Sequence, residues 1–335
     1  MTTTAGGARN HHFIPQFYLK NFAKPRSKDG KLFVCDLKER RRFQTRPRNV
    51  AARRDFNRVE AEHVDPNHVE SQLGVIEADL DRGFRHVIEA KSLASRDDFS
   101  SILVLIARLF VAHPQSRDQR DRFMSDIAKN MMLGMVATPE RWASITAQGV
   151  ADGIIDDPVS YEEMKAAVVE GRIIPRTNKD VLIAQEIELW PQILPLLEQR
   201  QWNLFVSNAA TGEFATSDRP CTLRWSEPNV DYGIYGPGLG LGGTSVIFPI
   251  SRYLAIDGRL EDGGGVVSAT PALVAAVNFA TLSSAMRQMY SAEDFPIIDV
   301  DRKIRPFAQS ELWLERICKR SADDLHQDQS AANQH

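Results

Sequence analysis

The chain has 335 residues, 43% of them hydrophobic and 25% charged, with a net charge of −3. These values fit an ordinary globular protein, long enough for two domains or for one domain with a large insertion, and exclude disordered and collagen-like chains. Three cysteines far apart in sequence, Cys35, Cys221 and Cys318, form no CxxC pair or metal-ligand spacing and suit a reducing cytoplasm.

The first residues carry no apolar signal segment, so no secretion signal is expected. The longest apolar run, Ile102 to Ala112, is broken by Arg108. It is shorter than the roughly 20 residues that a membrane helix needs, so no membrane partner is expected. The net charge hides a division. Residues 1–60 hold 15 Lys/Arg against 5 Asp/Glu, a balance of +10, and the rest of the chain is at −13. Such a segment either attracts the acidic body of its own protein or meets an anionic partner, nucleic acid or a nucleotide.

In chain order, residues 1–9 read as a disordered leader. Asn10 to Phe22, Asn-His-His-Phe-Ile-Pro-Gln-Phe-Tyr-Leu-Lys-Asn-Phe, packs two histidines and four aromatic rings into 13 residues. Pro15 predicts the start of a short helix, with His11 and His12 in an extended entry and pointing to opposite sides. Residues 31–45 read as a hairpin, with Phe33, Cys35 and Leu37 on one face and Arg40, Arg41 and Arg42 at its tip. Asn49 to Asn57 is a loop or a helical turn that carries Arg53, Arg54 and Asp55. Val69, Leu73, Ile76, Leu80, Phe84 and Val87 recur at helical spacing and predict a helix over 67–91, with Glu70, Glu77 and Asp81 on one flank.

Further helices are expected over 99–113, 117–135, 139–148, 161–170 and 179–197, the last kinked at Pro191. The pattern then changes. Trp202 to Ser207 reads as a strand with Glu213 to Thr216 as its hairpin partner. Strands at 245–250 and 252–257, a helix at 271–287, a last strand at 288–291 and a terminal helix at 306–319 follow. The glycine-rich stretch Gly236 to Gly243 precedes a strand, so it is no dinucleotide fingerprint or P-loop, both of which lead into a helix.

The expected architecture is α+β. A basic hairpin unit (10–60) forms one compact unit with a mainly antiparallel C-terminal part (201–320), and the two flank a helical block (61–200). The tail 321–335 is polar and expected to be disordered. No sequence pattern fixes an oligomeric state.

Four blocks carry a resemblance: Asn10 to Phe22; Asp55-Phe56 with a helix containing Glu70 and Glu77; Thr216-Ser-Asp-Arg-Pro220; and Phe248-Pro-Ile-Ser251 with Asn278 and Arg287 to Tyr290 downstream. Together they resemble a mostly bacterial family, domain of unknown function 4238. The family often has a tyrosine after Asp-Phe, where this chain has Asn57. The family name implies no chemistry.

From the residues, one imidazole with two or three carboxylates would suit Mg²⁺ or Mn²⁺, or a general base with acidic partners. The expected catalytic residues are His11, His12, Gln16 and Asp218. The expected metal ligands are His12, Asp55, Glu70, Glu77 and Asp218, with Lys20, Arg40, Arg41, Arg42, Arg53 and Arg54 contacting nucleic acid. The Asn-His-His-Phe-Ile-Pro string is also similar to the first block of HNH nucleases, although Asn49, Asn57, His63 and His68 follow at loose spacing. The expected function is a metal-dependent nuclease or phosphodiesterase, in a toxin or phage-defence setting. The alternative is a non-catalytic sensor that docks an anionic partner through the basic segment.

Overall fold

The computed structural model describes residues 9–61, 63–227, 235–261 and 263–313. Most of the expected leader, the tail, Cys318 and the end of the expected terminal helix lie outside the described residues. The fold is α+β and divides into two compact units. One runs to His113 and resumes at Ile187; the other is Pro114–Glu186. The second unit is cut out of the expected helical block, and the first two long helices belong with the sheets.

The first unit opens with β1 (Asn10–His12), α1 (Gln16–Leu19) and a 3-10 turn (Lys20–Phe22). The hairpin β2 (Leu32–Asp36) and β3 (Arg41–Thr45) follows, then β4 (Ala52–Arg54), which pairs antiparallel with β1. α2 (His68–Ala90) and α3 (Arg96–Val111) come next. Ser95 caps α3 by accepting a hydrogen bond from Asp98 N, which satisfies one of the free donors at the helix start. α3 is buried over most of its surface, as its run of Ile, Leu and Val requires. α2 sinks only its C-terminal half, Leu80, Phe84 and Val87, into the core and leaves Ile76 exposed.

The second unit holds α4 (Pro114–Met135), α5 (Pro139–Ala151) and α6 (Tyr161–Val169). α7 (Lys179–Glu198) begins in it. Val136, Trp142 and Val168 form its small core. The buried Glu186 carboxylate accepts hydrogen bonds from Arg117 and Arg120.

The first unit resumes with β5 (Gln201–Val206), β6 (Thr216–Ser217), β7 (Thr222–Trp225), β8 (Thr244–Ser251), β9 (Leu254–Arg259), β10 (Gly265–Ser268), α8 (Pro271–Ser284), β11 (Gln288–Ser291), β12 (Pro296–Ile298) and β13 (Ile304–Pro306). One sheet has the order β10-β5-β9-β8-β7 and is antiparallel except for the β10–β5 pair. A second has the order β3-β2-β11-β6, which joins the N-terminal hairpin to the C-terminal strands. Residues 213–216 are not the hairpin partner of β5. The turn at Asn208 leads the chain away, Phe214 N donates to Arg252 O, and Thr216 joins β11. Among the described residues, no single helix is long and apolar enough to cross a membrane.

The Asn10–Phe22 block lies between α2 and β8. Phe17 meets Phe84 edge-on at 5.5 Å, and Tyr18 stacks on Phe248 at 5.2 Å. Aromatic pairs at these separations add to the gain from burial alone.

Candidate functional site

The acidic flank of α2 meets Asn57, Arg108 and Lys20 one after another. Glu70 Oε2 accepts from Asn57 Nδ2 at 2.8 Å. The backbone N–H of Asn57 donates to His11 Nδ1 at 2.9 Å. Two turns further along, Glu77 Oε1 accepts from Arg108 Nη1 at 2.7 Å, and one turn beyond that Asp81 holds Lys20 Nζ at 2.6 Å. Residues 70, 77, 81 and 84 share one side of a helix, which is why a single helix serves the whole block.

The two histidines have different surroundings. His11 is fully buried, with Nδ1 occupied by the Asn57 N–H. His12 is half-buried. Its Nε2 lies 3.2 Å from the Arg48 carbonyl and its Nδ1 3.4 Å from Gln16 Nε2. A carbonyl can only accept, so Nε2 carries the proton and Nδ1 presents its lone pair. Partial burial lowers the His12 pKa below the usual imidazole value, against opposing pulls from the Arg48 carbonyl, Glu70 and Glu77. His12 is therefore a neutral base at neutral pH, held at one nitrogen and lightly covered at the other.

In the β1–β4 ribbon His12 pairs with Ala52 and Asn10 with Arg54, so His12 and Arg54 share a face. Arg54 is exposed on that face, and Arg48, whose carbonyl meets His12, also has an exposed side chain. Asp55 follows β4 at a φ of 54° and lies 3.5 Å from Arg54 Nε. The other arginines expected at nucleic acid stand elsewhere. Arg40, Arg41 and Arg42 are at the tip and edge of the β2–β3 hairpin, where Arg41 pairs with Glu39 at 2.8 Å. Charged side chains on an edge strand discourage pairing with another chain. Lys20 is tied to Asp81, and Arg53 is exposed on β4.

Asp218 does not meet either histidine. Its carboxylate accepts the backbone N–H groups of Met286 at 2.9 Å, Arg287 at 2.7 Å and Gln288 at 3.1 Å. Burial raises its pKa, and these three donors work against that rise. It is a clamp on the entry to β11, and Thr216, two residues earlier, is the member of that block that reaches the N-terminal segment. Tyr18 Oη lies 2.7 Å from Thr216 Oγ1 and donates to Pro249 O at 2.8 Å. Donating there leaves the Thr216 hydroxyl to donate to Tyr18. Among the described residues no three His, Cys, Asp or Glu side chains converge as a metal site needs. Glu77 faces Arg108, Glu70 faces Asn57 and His12 faces a carbonyl and an amide, so this donor set does not fit Mg²⁺ or Mn²⁺ as arranged.

The structure thus gathers His11, His12, Gln16, Glu70 and Glu77 and holds Asp218 apart. It adds Asn57 and Arg108, which sequence reasoning passed over. Arg108 carried a signal. An arginine within a buried apolar helix requires an anionic partner, and Glu77 is it. Asn57 carried only its place after Asp-Phe and a loosely spaced likeness to the asparagine of an HNH module.

Among known proteins, the chain is 24% identical over 214 residues to a malonate-semialdehyde dehydrogenase of Lacticaseibacillus casei, a match that covers 59% of this chain and 43% of that protein. The chain thus spans less than half the length of the curated relative it matches. No solved structure matches it significantly. The family model described as "Protein of unknown function (DUF4238)" matches residues 10–295, a span that includes the histidine pair, the acidic flank of α2, the Asp218 clamp and β8. The chain belongs to the DUF4238 family.

Proposed function

We propose that the protein cleaves RNA, with His12 as general base. The observation that carries this reading is the state of His12: neutral, fixed by the Arg48 carbonyl at Nε2, and, among the described residues, covered at Nδ1 only by a 3.4 Å contact from Gln16. RNA holds its own nucleophile. The 2′-hydroxyl gives its proton to His12 Nδ1, O2′ bonds to phosphorus, and the bond from phosphorus to the 5′-oxygen breaks. The leaving oxygen takes a proton from water. The products are a 2′,3′-cyclic phosphate and a 5′-hydroxyl end, and no step is routed through a metal. Arg48 and Arg54 supply positive charge for the phosphate, and the +10 balance of residues 1–60 draws in the polyanion. Glu70 and Glu77 favour the imidazolium that forms. The free, buried thiols of Cys35 and Cys221 fit work in a reducing cytoplasm.

The name of the curated relative does not supply a better reading. The match spans under half of that protein, and Gly236 to Gly243 leads into β8, where a dinucleotide fold would place a helix.

The test is incubation of purified protein with RNA and DNA in Mn²⁺ and in EDTA, with end analysis and His12→Ala beside it. RNA cut in EDTA to cyclic-phosphate ends, and left intact by His12→Ala, is the expected result. Intact RNA in every tube sinks the reading, and RNA retained equally by both proteins then favours a binding module. Cleavage that requires Mn²⁺ sinks the mechanism.

A further inference from the structure

About 20 Å along α2 from Glu77, at 1.5 Å per residue, the helix ends against a second concave site. Asn21, Arg26, Ile88, Lys91, Ser207 and Tyr253 are among the residues that line this cavity of about 490 Å³, a size ordinary for small-molecule sites. Two of the family blocks build it. Asn21 lies in the N-terminal block and accepts Arg252 N at its carbonyl, while Ser251 ends β8.

The charges in its wall are unevenly matched. Arg252 donates to Glu213 from Nε at 2.8 Å and also from Nη2, so its charge is met. Among the described residues Arg26 has one side-chain hydrogen bond, from Nε to Asn21 Oδ1 at 3.0 Å, which uses neither Nη of its guanidinium. Lys91, at a φ of 49° just past α2, has no carboxylate partner among the described residues. Ser207 is also among the residues that line this cavity, and its buried Oγ has no hydrogen-bond partner among the described residues. An orphaned buried hydroxyl is uncommon in folded proteins and calls for an explanation.

We infer that this cavity binds a small organic phosphate monoester. A phosphate carries close to two negative charges and three terminal oxygens. It matches the Arg26 guanidinium, the Lys91 ammonium and the Ser207 hydroxyl, whereas a carboxylate brings only one charge to two cations. Arg26 offers the paired N–H groups suited to phosphate. Ile88, Leu254 and the Tyr253 ring give an apolar wall for the body of the ester. The site is independent of the His12 cluster and does not rest on its chemistry.

Calorimetric titration with adenosine 5′-monophosphate, ribose 5-phosphate, adenosine and benzoate tests it. At least one phosphate ester binds, and adenosine and benzoate bind at least tenfold more weakly. Ser207→Ala weakens that binding about tenfold, the effect of one hydrogen bond to a charged group. It leaves the thermal midpoint of the free protein unchanged or higher, because the hydroxyl has no partner there. Arg26→Gln weakens binding further, and His12→Ala leaves it intact. No binding of either ester, equal binding of benzoate, or unchanged affinity in Ser207→Ala overturns the inference.

Discussion

Tyr18 and Thr216, 198 positions apart, meet hydroxyl to hydroxyl at 2.7 Å in the buried interior, and the Tyr18 hydroxyl also reaches Pro249 O. This contact ties the N-terminal block to two C-terminal ones. Burial raises the phenol pKa well above its ordinary value, so Tyr18 stays protonated. Tyr18→Phe keeps the ring stacked on Phe248 and strands both partners. Loss of about 2 kcal/mol is expected from urea unfolding.

Asp218 accepts three backbone N–H groups. Asp218→Ala leaves them without that acceptor and is expected to cost about 3 kcal/mol or more, whereas Asp218→Asn keeps one acceptor oxygen and costs less. RNA cleavage per folded molecule should not change in Asp218→Asn. A role as metal ligand or base predicts the reverse, so parallel unfolding and activity measurements separate the two.

Asp36 and Asp218 flank β11 and titrate in opposite senses. Burial pushes the Asp36 carboxyl up, but hydrogen bonds from Glu39 N, Gln288 and Arg287 outweigh it and hold the pKa below the usual value. Its contribution is present above the unfolded pKa and is lost as pH falls through the folded one. The raised Asp218 contributes below its unfolded pKa and loses that contribution as pH rises through its folded one. Asp36→Asn should therefore lower stability at neutral pH and flatten the acid-side decline. Urea midpoints across about pH 3 to 7 check this.

The lowered His12 pKa sets the pH dependence of cleavage. The base works only when neutral, so the rate should rise with pH through a midpoint below the ordinary imidazole value of about 6.5. His12→Ala should lose at least about 100-fold. A limb centred well above that value would assign the base elsewhere.

Glu186 ties Arg117 and Arg120 together inside the Pro114–Glu186 unit. Removal of one partner from a buried ion pair typically costs about 3 to 5 kcal/mol, because the opposite charge stays behind. Glu186→Gln should lose helical signal and amide protection in that unit while the other retains its own. Hydrogen exchange resolves the two units.

Local pattern made much of this molecule legible in the sequence. The helical period at Val69 to Val87, the alternation of residues 31–45 and the turn chemistry between them depend on neighbours within a few positions, so they can be read one segment at a time. The family follows from the same blocks. The sequence also marked the two histidines, Gln16, Glu70 and Glu77 by residue type.

Only the tertiary structure decided which of these meet. Residue type alone makes Asp218 as good a partner for a histidine as Glu77. The sheet instead brings Asp218 to the backbone of Met286–Gln288, and α2 brings Glu70 and Glu77 to the N-terminal block. The pairing of β5 was likewise set by long-range sheet order rather than by the turn that follows it. A side chain's chemistry is local, but the partner that gives it a role is chosen by chain segments that lie hundreds of residues apart and pack as one core.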